Sequence, residues 1–354
     1  MSKPMPLPPA RRRAGNPIIT PADVTPSREG MEVCCVMNAG ALRRGGTTYL
    51  MLRVDERPVP EPGWASTAVS RGSEIEILRF RTDTPGLDLS DSRAIVLPDG
   101  RMLITVLSHL RLARSADGVH FDIEESPAMF PAEPYEAYGC QDSRMTEIDG
   151  TVYINYSAVS DHGVATALAT TTDFRTYRRR GLIFSPDNRN ICIFPQAIDG
   201  WYYALHRPMH GIPIGANSVW LARTRDFEYW GGHRRVMTPR PDRWDRFRVG
   251  GGAPPILTDV GWLVIYHGAD RGDRYCLGAA LLDRDDPSLV IARHDDALLE
   301  PAEPYELEGF FGNVVFTDGA IVQDGLLRVY YGASDTVTCL ADFNLEELIA
   351  AMVG

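Results

Sequence analysis

The chain has 354 residues, more than twice the ~150 that serves as a soft prior for one domain, so two domains or one large all-β or barrel domain are allowed and a single small module is excluded. With 44% hydrophobic and 23% charged residues it has an ordinary globular composition that can bury a sizeable core, which excludes global disorder. Its 36 Lys and Arg against 47 Asp and Glu give a formal charge of −11, which offers no general attraction to a phosphate backbone or an anionic membrane, so neither is expected as a partner.

Residues 1–30 begin MSKPMPLPPARRRAG, basic and proline-rich, and read as a flexible segment or as an arm that docks on a neighbouring subunit. They lack the apolar stretch of a signal peptide, and no apolar run approaches the ~18 to 20 residues of a membrane span, so a cytoplasmic protein is expected. From residue 31 onward, short β-branched and aromatic runs are separated by two-residue turns, the pattern of hairpins. The turns are Gly45-Gly46, Asp99-Gly100, Asp149-Gly150, Asp199-Gly200, Val260-Gly261 and Asp324-Gly325, spaced roughly 50 to 64 residues apart. Pro58 to Ser92, rich in Pro, Gly, Ser and Thr, reads as an insertion carrying an extra strand pair. A second marker, a strand end followed by an acidic turn, recurs at Asp117, Asp173, Asp226 and Asp286, and the hexapeptide PAEPYE occurs at 131–136 and again at 301–306. The one convincing helix is C-terminal, with Asn344 as cap, Glu347 as its reciprocal partner and LIAAM behind them, placed to pack across the last repeat.

A period near 50 to 60 with about four short strands per unit predicts an all-β, five-bladed β-propeller with a short C-terminal helix, one catalytic domain over residues 31–354. Six hairpin turns also allow six blades; five is preferred because the insertion accounts for the extra pair. The six cysteines, at 34, 35, 140, 192, 276 and 339, show no metal-ligand or disulfide spacing, so no metal site is expected and they read as reduced, small buried hydrophobes.

In a propeller the axial strands deliver their ends to one funnel. Taken along the repeats, those positions carry Asn38, Arg53, Asp142, Arg144, Arg189, His206, Arg207, Arg248, His267, Asp270 and Asp335. One such Asp is a turn former and one such Arg a surface ion pair. Several cations in one low-dielectric funnel repel each other unless an anion joins them, and the guanidinium fork suits phosphate oxygens. Tyrosines and tryptophans along the same strands, among them Trp201, Tyr202, Tyr203 and Tyr275, suit the faces of a sugar ring.

The succession MNAGA, LMLRVDER, YGCQDSRMTEIDGTVYINYSA, SPDNRNICIFPQAIDGWYYALHRP, VGGGAPPILTDVGWLVIYHG, LLDRDDPSLVI and GNVVF with YYGASD resembles glycoside hydrolase family 130, the β-mannoside phosphorylases and related β-mannosidases, from about residue 30 to 340. The resemblance implies a five-bladed propeller and inverting cleavage of a β-mannoside by inorganic phosphate, a co-substrate rather than a cofactor, giving α-mannose 1-phosphate and an acceptor sugar. It implies Asp142 as the acid, working through the sugar's 3-hydroxyl; Arg189, Arg207, Arg248 and His267, with Tyr275, as phosphate ligands; and Asn38, Arg53, Arg144, His206 and Asp335 around the mannosyl ring. Phosphate is already an anionic nucleophile, so the second carboxylate of an inverting hydrolase is replaced by cations. The chain departs from the family pattern at Gln141 and Ser143, where Glu and Pro are usual, at Gln196 and Ala197 in place of Glu and Lys, and at Arg248 in place of Lys. Loss of a like-charged neighbour at 141 is expected to lower the pKa of Asp142. A β-mannosidase and a non-catalytic sugar-binding propeller are the alternative readings, and the sequence leaves a homo-oligomer open.

Overall fold

The computed structural model describes residues 5–72, 74–209 and 215–354. Strands dominate, arranged as four principal antiparallel sheets and two small hairpins. The largest sheet has eight strands, and its two halves, Met31–Arg44, Thr47–Pro58 and Leu107–Ser115 on one side and Gly139–Ile148 through Arg178–Phe184 on the other, are joined as strand neighbours only by a parallel pairing of Gly139 with Ser108. Asn188–Ile193, Tyr202–Pro208, Val219–Thr224 and Gly231–Met237 form the next sheet, Arg248–Gly251 through Val290–Arg293 another, and Val315–Gln323, Leu326–Ala333 and Val337–Asn344 the last. The first strands of these units touch in succession: Met31–Arg44 lies against Gly139–Ile148 and Val315–Gln323, Gly139–Ile148 against Asn188–Ile193, and that strand against Arg248–Gly251.

Sheets packed face to face on both sides explain strands that are apolar almost throughout. Gly261–Ala269 is buried at every position. Its Trp262, Val264 and Tyr266 pack with Cys192, Phe194 and Leu205 of the preceding sheet, and Leu263 and Ile265 pack with Val315, Leu327 and Val329 of the last. The two-residue side-chain period of a strand thus feeds two cores at once. The acidic turns recur as the sequence suggests: Asp117, Asp173 and Asp226 each accept two backbone N–H bonds at 2.8–2.9 Å, with Ser115, Thr171 or Thr224 two residues earlier bonded to the same carboxylate. Five of the six turn pairs join strands of the principal sheets, while Asp99-Gly100 closes the small Ala94–Val96/Met102–Ile104 hairpin. The insertion holds the expected strand pair, Trp64–Arg71 with Glu74–Arg81. The C-terminal helix spans Leu345–Val353, with the Asn344 side chain accepting from Glu347 N at 3.0 Å and Leu348 buried with Leu327 and Phe343. No helix among the described residues is long and apolar enough to cross a membrane.

The N-terminal segment differs from the flexible arm its composition predicts. Residues 1–4 lie outside the described part, but Arg11 and Arg12 pair with Asp342 and Ala341 as an outer strand of the last sheet. The repeated PAEPYE supplies the reason. Glu136, fully buried, accepts bonds from Tyr156 Oη at 2.5 Å and from Ala132 N at 2.8 Å and pairs with Arg179 of an outer strand. Glu306 does the same with Tyr331 Oη and Ala302 N, both at 2.8 Å, but its cation is Arg12 at 2.8 Å. A buried carboxylate left without its cation is expensive, so Arg12 is drawn in from the far end of the chain.

Candidate active site

The innermost strands are interrupted by bulges, and the bulges carry the polar residues. Pairing register slips between Met37 and Gly40, between Gln141 and Arg144, and between Arg189 and Cys192. Within those slips Asn38, Asp142 and Asn190 take φ of 46°, 48° and 56°, and Asp335, in the turn after Leu326–Ala333, takes 46°. Asn and Asp tolerate this left-handed conformation better than other side-chain-bearing residues, and a bulge re-aims the side chain it holds. All four line one cavity of about 470 Å³.

At one side of the cavity Asp142 Oδ1 accepts from Asn38 Nδ2 and from Arg53 Nη1, both at 3.0 Å, while Oδ2 accepts nothing from the described residues. Arg53 is held by a two-pronged bond to Asp55, Nε to Oδ1 and Nη2 to Oδ2 at 2.8 Å each, because residues i and i+2 of a strand share a face. Burial alone would raise the Asp142 carboxyl; Arg53, the Asn38 amide and Arg144 outweigh it and hold the group below the usual carboxylate range. Its direction is the one expected from the sequence, but the cause is this cation and amide set, and Gln141 is turned to Ser108, with Nε2 donating to Oγ at 3.0 Å. Asp335 has the opposite fate: burial, with the charges of Asp142 and Asp55, pushes it up to about 6 against Arg53.

On the other side Arg189, Arg207, Arg248, His267 and Tyr275 line the same cavity. Arg207 and His267 are buried, and Arg207 Nη1 donates to His267 Nε2 at 2.9 Å, which fixes the proton of the neutral ring on Nδ1. Burial and the neighbouring guanidinium of Arg207 push His267 well below its usual range, and burial with the charges of Arg189 and Arg248 draws Arg207 down to about 10. The Nε atoms of Arg189, Arg207 and Arg248 are all buried and have no hydrogen-bond partner among the described residues. Cationic donors crowded together with unused N–H groups are what an oxyanion would satisfy. The close approach depends on Gly250: a Cβ there would sit 2.5 Å from His267 Nε2 and 2.8 Å from Arg207 Nη1.

Two residues expected around a sugar lie elsewhere. Arg144 is 1% exposed and does not line the cavity; it donates to the carbonyls of Asp142 and Gly252 at 2.9 Å and of Gly251 at 3.2 Å and pairs with Asp318, bracing the floor from below. His206 neighbours Arg207 on one strand, so it points to the opposite face, where Nδ1 bonds with Asn188 and Nε2 with His233 Nδ1 at 3.1 Å. Conversely, Arg93, Met102, Phe310 and Phe311 also line the cavity, and no motif marks them as site residues. Arg93 lies 4.0 Å over the Phe311 ring, and Ser92 Oγ donates to the Phe310 carbonyl at 3.2 Å, joining the end of the insertion to the loop before the last sheet. Neither segment belongs to the repeat, so no periodic signal marks them.

Comparison with known proteins agrees with this architecture. The family profile described as beta-1,4-mannooligosaccharide phosphorylase matches residues 104–353. A beta-1,2-mannobiose phosphorylase of Listeria innocua serovar 6a is 44% identical over 340 residues, covering 94% of this chain and 96% of the relative. A 1,2-beta-oligomannan phosphorylase of Thermoanaerobacter sp. is 38% identical over 245 residues, 68% of this chain and 80% of that one. The solved structure of the beta-1,2-mannobiose phosphorylase from Listeria innocua in complex with beta-1,2-mannobiose superposes with a TM-score of 0.93 at 42% identity, over 97% of this chain and 99% of that chain. With a profile match over most of its length and a relative this similar from end to end, the chain belongs to glycoside hydrolase family 130.

Proposed function

We propose that the protein is an inverting β-mannoside phosphorylase that cleaves β-1,2-mannobiose with inorganic phosphate, giving α-mannose 1-phosphate and mannose. The observation that carries this reading is the trio of buried guanidinium Nε groups, without partners among the described residues, in the same cavity as Asp142. The relatives named above, all phosphorylases of mannosides, point to the same chemistry, and the Listeria structure with its bound disaccharide points to the β-1,2 linkage.

In this reading Arg189, Arg207, Arg248 and Tyr275 hold phosphate behind the anomeric carbon, with His267 fixing Arg207 from behind. A phosphate oxygen forms the new bond to C1 from the α face as the bond from C1 to the acceptor oxygen breaks. Asp142 passes a proton through the 3-hydroxyl to that leaving oxygen, from Oδ2, while Asn38 and Arg53 keep Oδ1 fixed. Sugar binding expels water from around Asp142, which raises its carboxyl toward the range needed of an acid. Asp335 and Arg53 grip the mannosyl hydroxyls. Arg93, Phe310 and Phe311 form the wall met by the departing mannose. The succession of contacting inner strands is read as five blades around one axis, the eight-stranded sheet being two of them, and the six free cysteines suit a reducing cytoplasm.

The test is product analysis on a panel of mannobioses with and without phosphate. Phosphate-dependent release of mannose 1-phosphate from the β-1,2 isomer is expected; cleavage at the same rate without phosphate, yielding free mannose alone, would make the protein a β-mannosidase.

A further inference from the structure

Arg248 is unlike the other two cations of the cluster. Its Nη2 pairs with the carboxylate of Asp273, whereas among the described residues Arg189 and Arg207 have no carboxylate at ion-pair distance. Asp273 belongs to the turn between Gly261–Ala269 and Tyr275–Leu282. Asp270 builds that turn by accepting from Gly272 N at 2.8 Å and Arg274 N at 3.2 Å, and Asp273 follows in the left-handed conformation, φ 56°. The carboxylate is therefore presented by a preformed turn and is 42% exposed, so no core packing depends on it. The Arg248 guanidinium lies over the Tyr275 and Phe247 rings at 5.1 and 5.2 Å, with its Nε unused. A guanidinium grips an oxyanion in two-pronged fashion through Nε and Nη2 together, and Nη2 is the atom Asp273 holds.

Charge gives the arrangement a purpose. Three guanidinium groups on one side of the cavity repel each other, which adds to the effect of burial in drawing Arg207 down, and a fixed carboxylate on one of them offsets that repulsion. Once a phosphate dianion arrives, the same carboxylate becomes a like charge beside it. We propose that Asp273 is a positioning residue that acts as a built-in stand-in for phosphate: it holds Arg248 while the site is empty, yields it to the incoming anion, and reclaims it as the phosphate ester leaves. The cost is weaker phosphate affinity and the gain is release of an anionic product. The inference rests on the phosphorolytic reading above.

The experiment compares wild type with Asp273→Asn, which keeps the shape and removes the charge, and with Asp273→Glu, which restores it. Phosphate is varied at saturating β-1,2-mannobiose and mannobiose at saturating phosphate, and inorganic phosphate alone is titrated calorimetrically into each protein. Removal of a half-exposed like charge lowers the KM and Kd for phosphate about three- to tenfold in Asp273→Asn. The KM for mannobiose stays within about twofold, and Asp273→Glu returns both phosphate constants toward wild type. A phosphate KM and Kd equal to or above wild type in Asp273→Asn, or an equal change in both KM values, would overturn the proposal. Were the wild type inactive toward mannobiose, the functional reading would fall, and the calorimetric ratio would still decide the role of Asp273.

Discussion

Gly250→Ala adds one methyl group where the backbone allows it and the neighbours do not. The new carbon would lie 2.5 Å from His267 Cε1 and Nε2 and 2.8 Å from Arg207 Nη1. Ordinary contact is about 3.5–4.0 Å, so the imidazole and guanidinium must retreat by about 1 Å. His267 has nowhere easy to go, being fully buried with the Phe316 ring centroid 4.5 Å away, so its 2.9 Å bond from Arg207 is the contact that gives. Overpacking of this kind costs about 1–3 kcal/mol, which in a chain of this length lowers the melting temperature by about 1–4 °C. Catalysis suffers more, because displacing a positioning group by about 1 Å can cost about a hundredfold in rate. Initial rates of phosphorolysis, with each substrate varied in turn, should show kcat/KM for phosphate falling about a hundredfold while the KM for mannobiose changes little. A variant with wild-type dependence on phosphate would refute the placement of Arg207, held from behind by His267, at the phosphate.

Other expectations follow from the same geometry. Asp142→Asn should reduce turnover by about 10²- to 10⁴-fold with mannobiose binding retained, measured by single-turnover rates and calorimetry; unchanged turnover would remove Asp142 as the acid. Asp335, with its carboxyl raised to about 6, favours the folded state while protonated and loses that contribution as pH rises through 6. Asp335→Asn should therefore stabilise the protein by about 1–2 kcal/mol at pH 8 and by almost nothing at pH 4, read from denaturant melts at both values; equal effects at the two would contradict the shift. Arg12→Ala leaves the buried Glu306 without its cation and should cost about 2–4 kcal/mol, whereas Arg11→Ala, one residue away and exposed, should cost under about 0.5 kcal/mol; similar melting temperatures would show that Arg12 does not hold the segment down.

The repeat was legible because turns and acidic strand ends obey local rules. Asp-Gly pairs need no distant partner to make a hairpin, and Asn344 caps its helix through a bond three residues long. The site was legible where recurrence pointed to it, at Asn38, Arg53, Asp142, Arg189, Arg207, Arg248, His267 and Asp335, all of which line the cavity, as does Tyr275, which the family resemblance adds. Strand alternation, applied strictly, would have separated His206 from Arg207, since adjacent residues cannot face the same cavity. Arg144 escaped because a buried arginine bonded to three carbonyls has the same sequence as one that meets a ligand. Arg12 finds its partner 294 residues away, a distance over which no local pattern speaks. PAEPYE was visible as a repeat, but its meaning, a buried glutamate awaiting a tyrosine and an arginine, required the packing.

The central claim is that an oxygen of phosphate, held by the arginine cluster, takes the place of the acceptor sugar at C1. Turnover of β-1,2-mannobiose in ¹⁸O-labelled inorganic phosphate, followed by ³¹P NMR and mass spectrometry, tests it most directly. The account predicts α-mannose 1-phosphate that keeps the full label, including the oxygen bridging carbon and phosphorus; unlabelled free mannose as the sole glycone product, with solvent oxygen at C1, would contradict it.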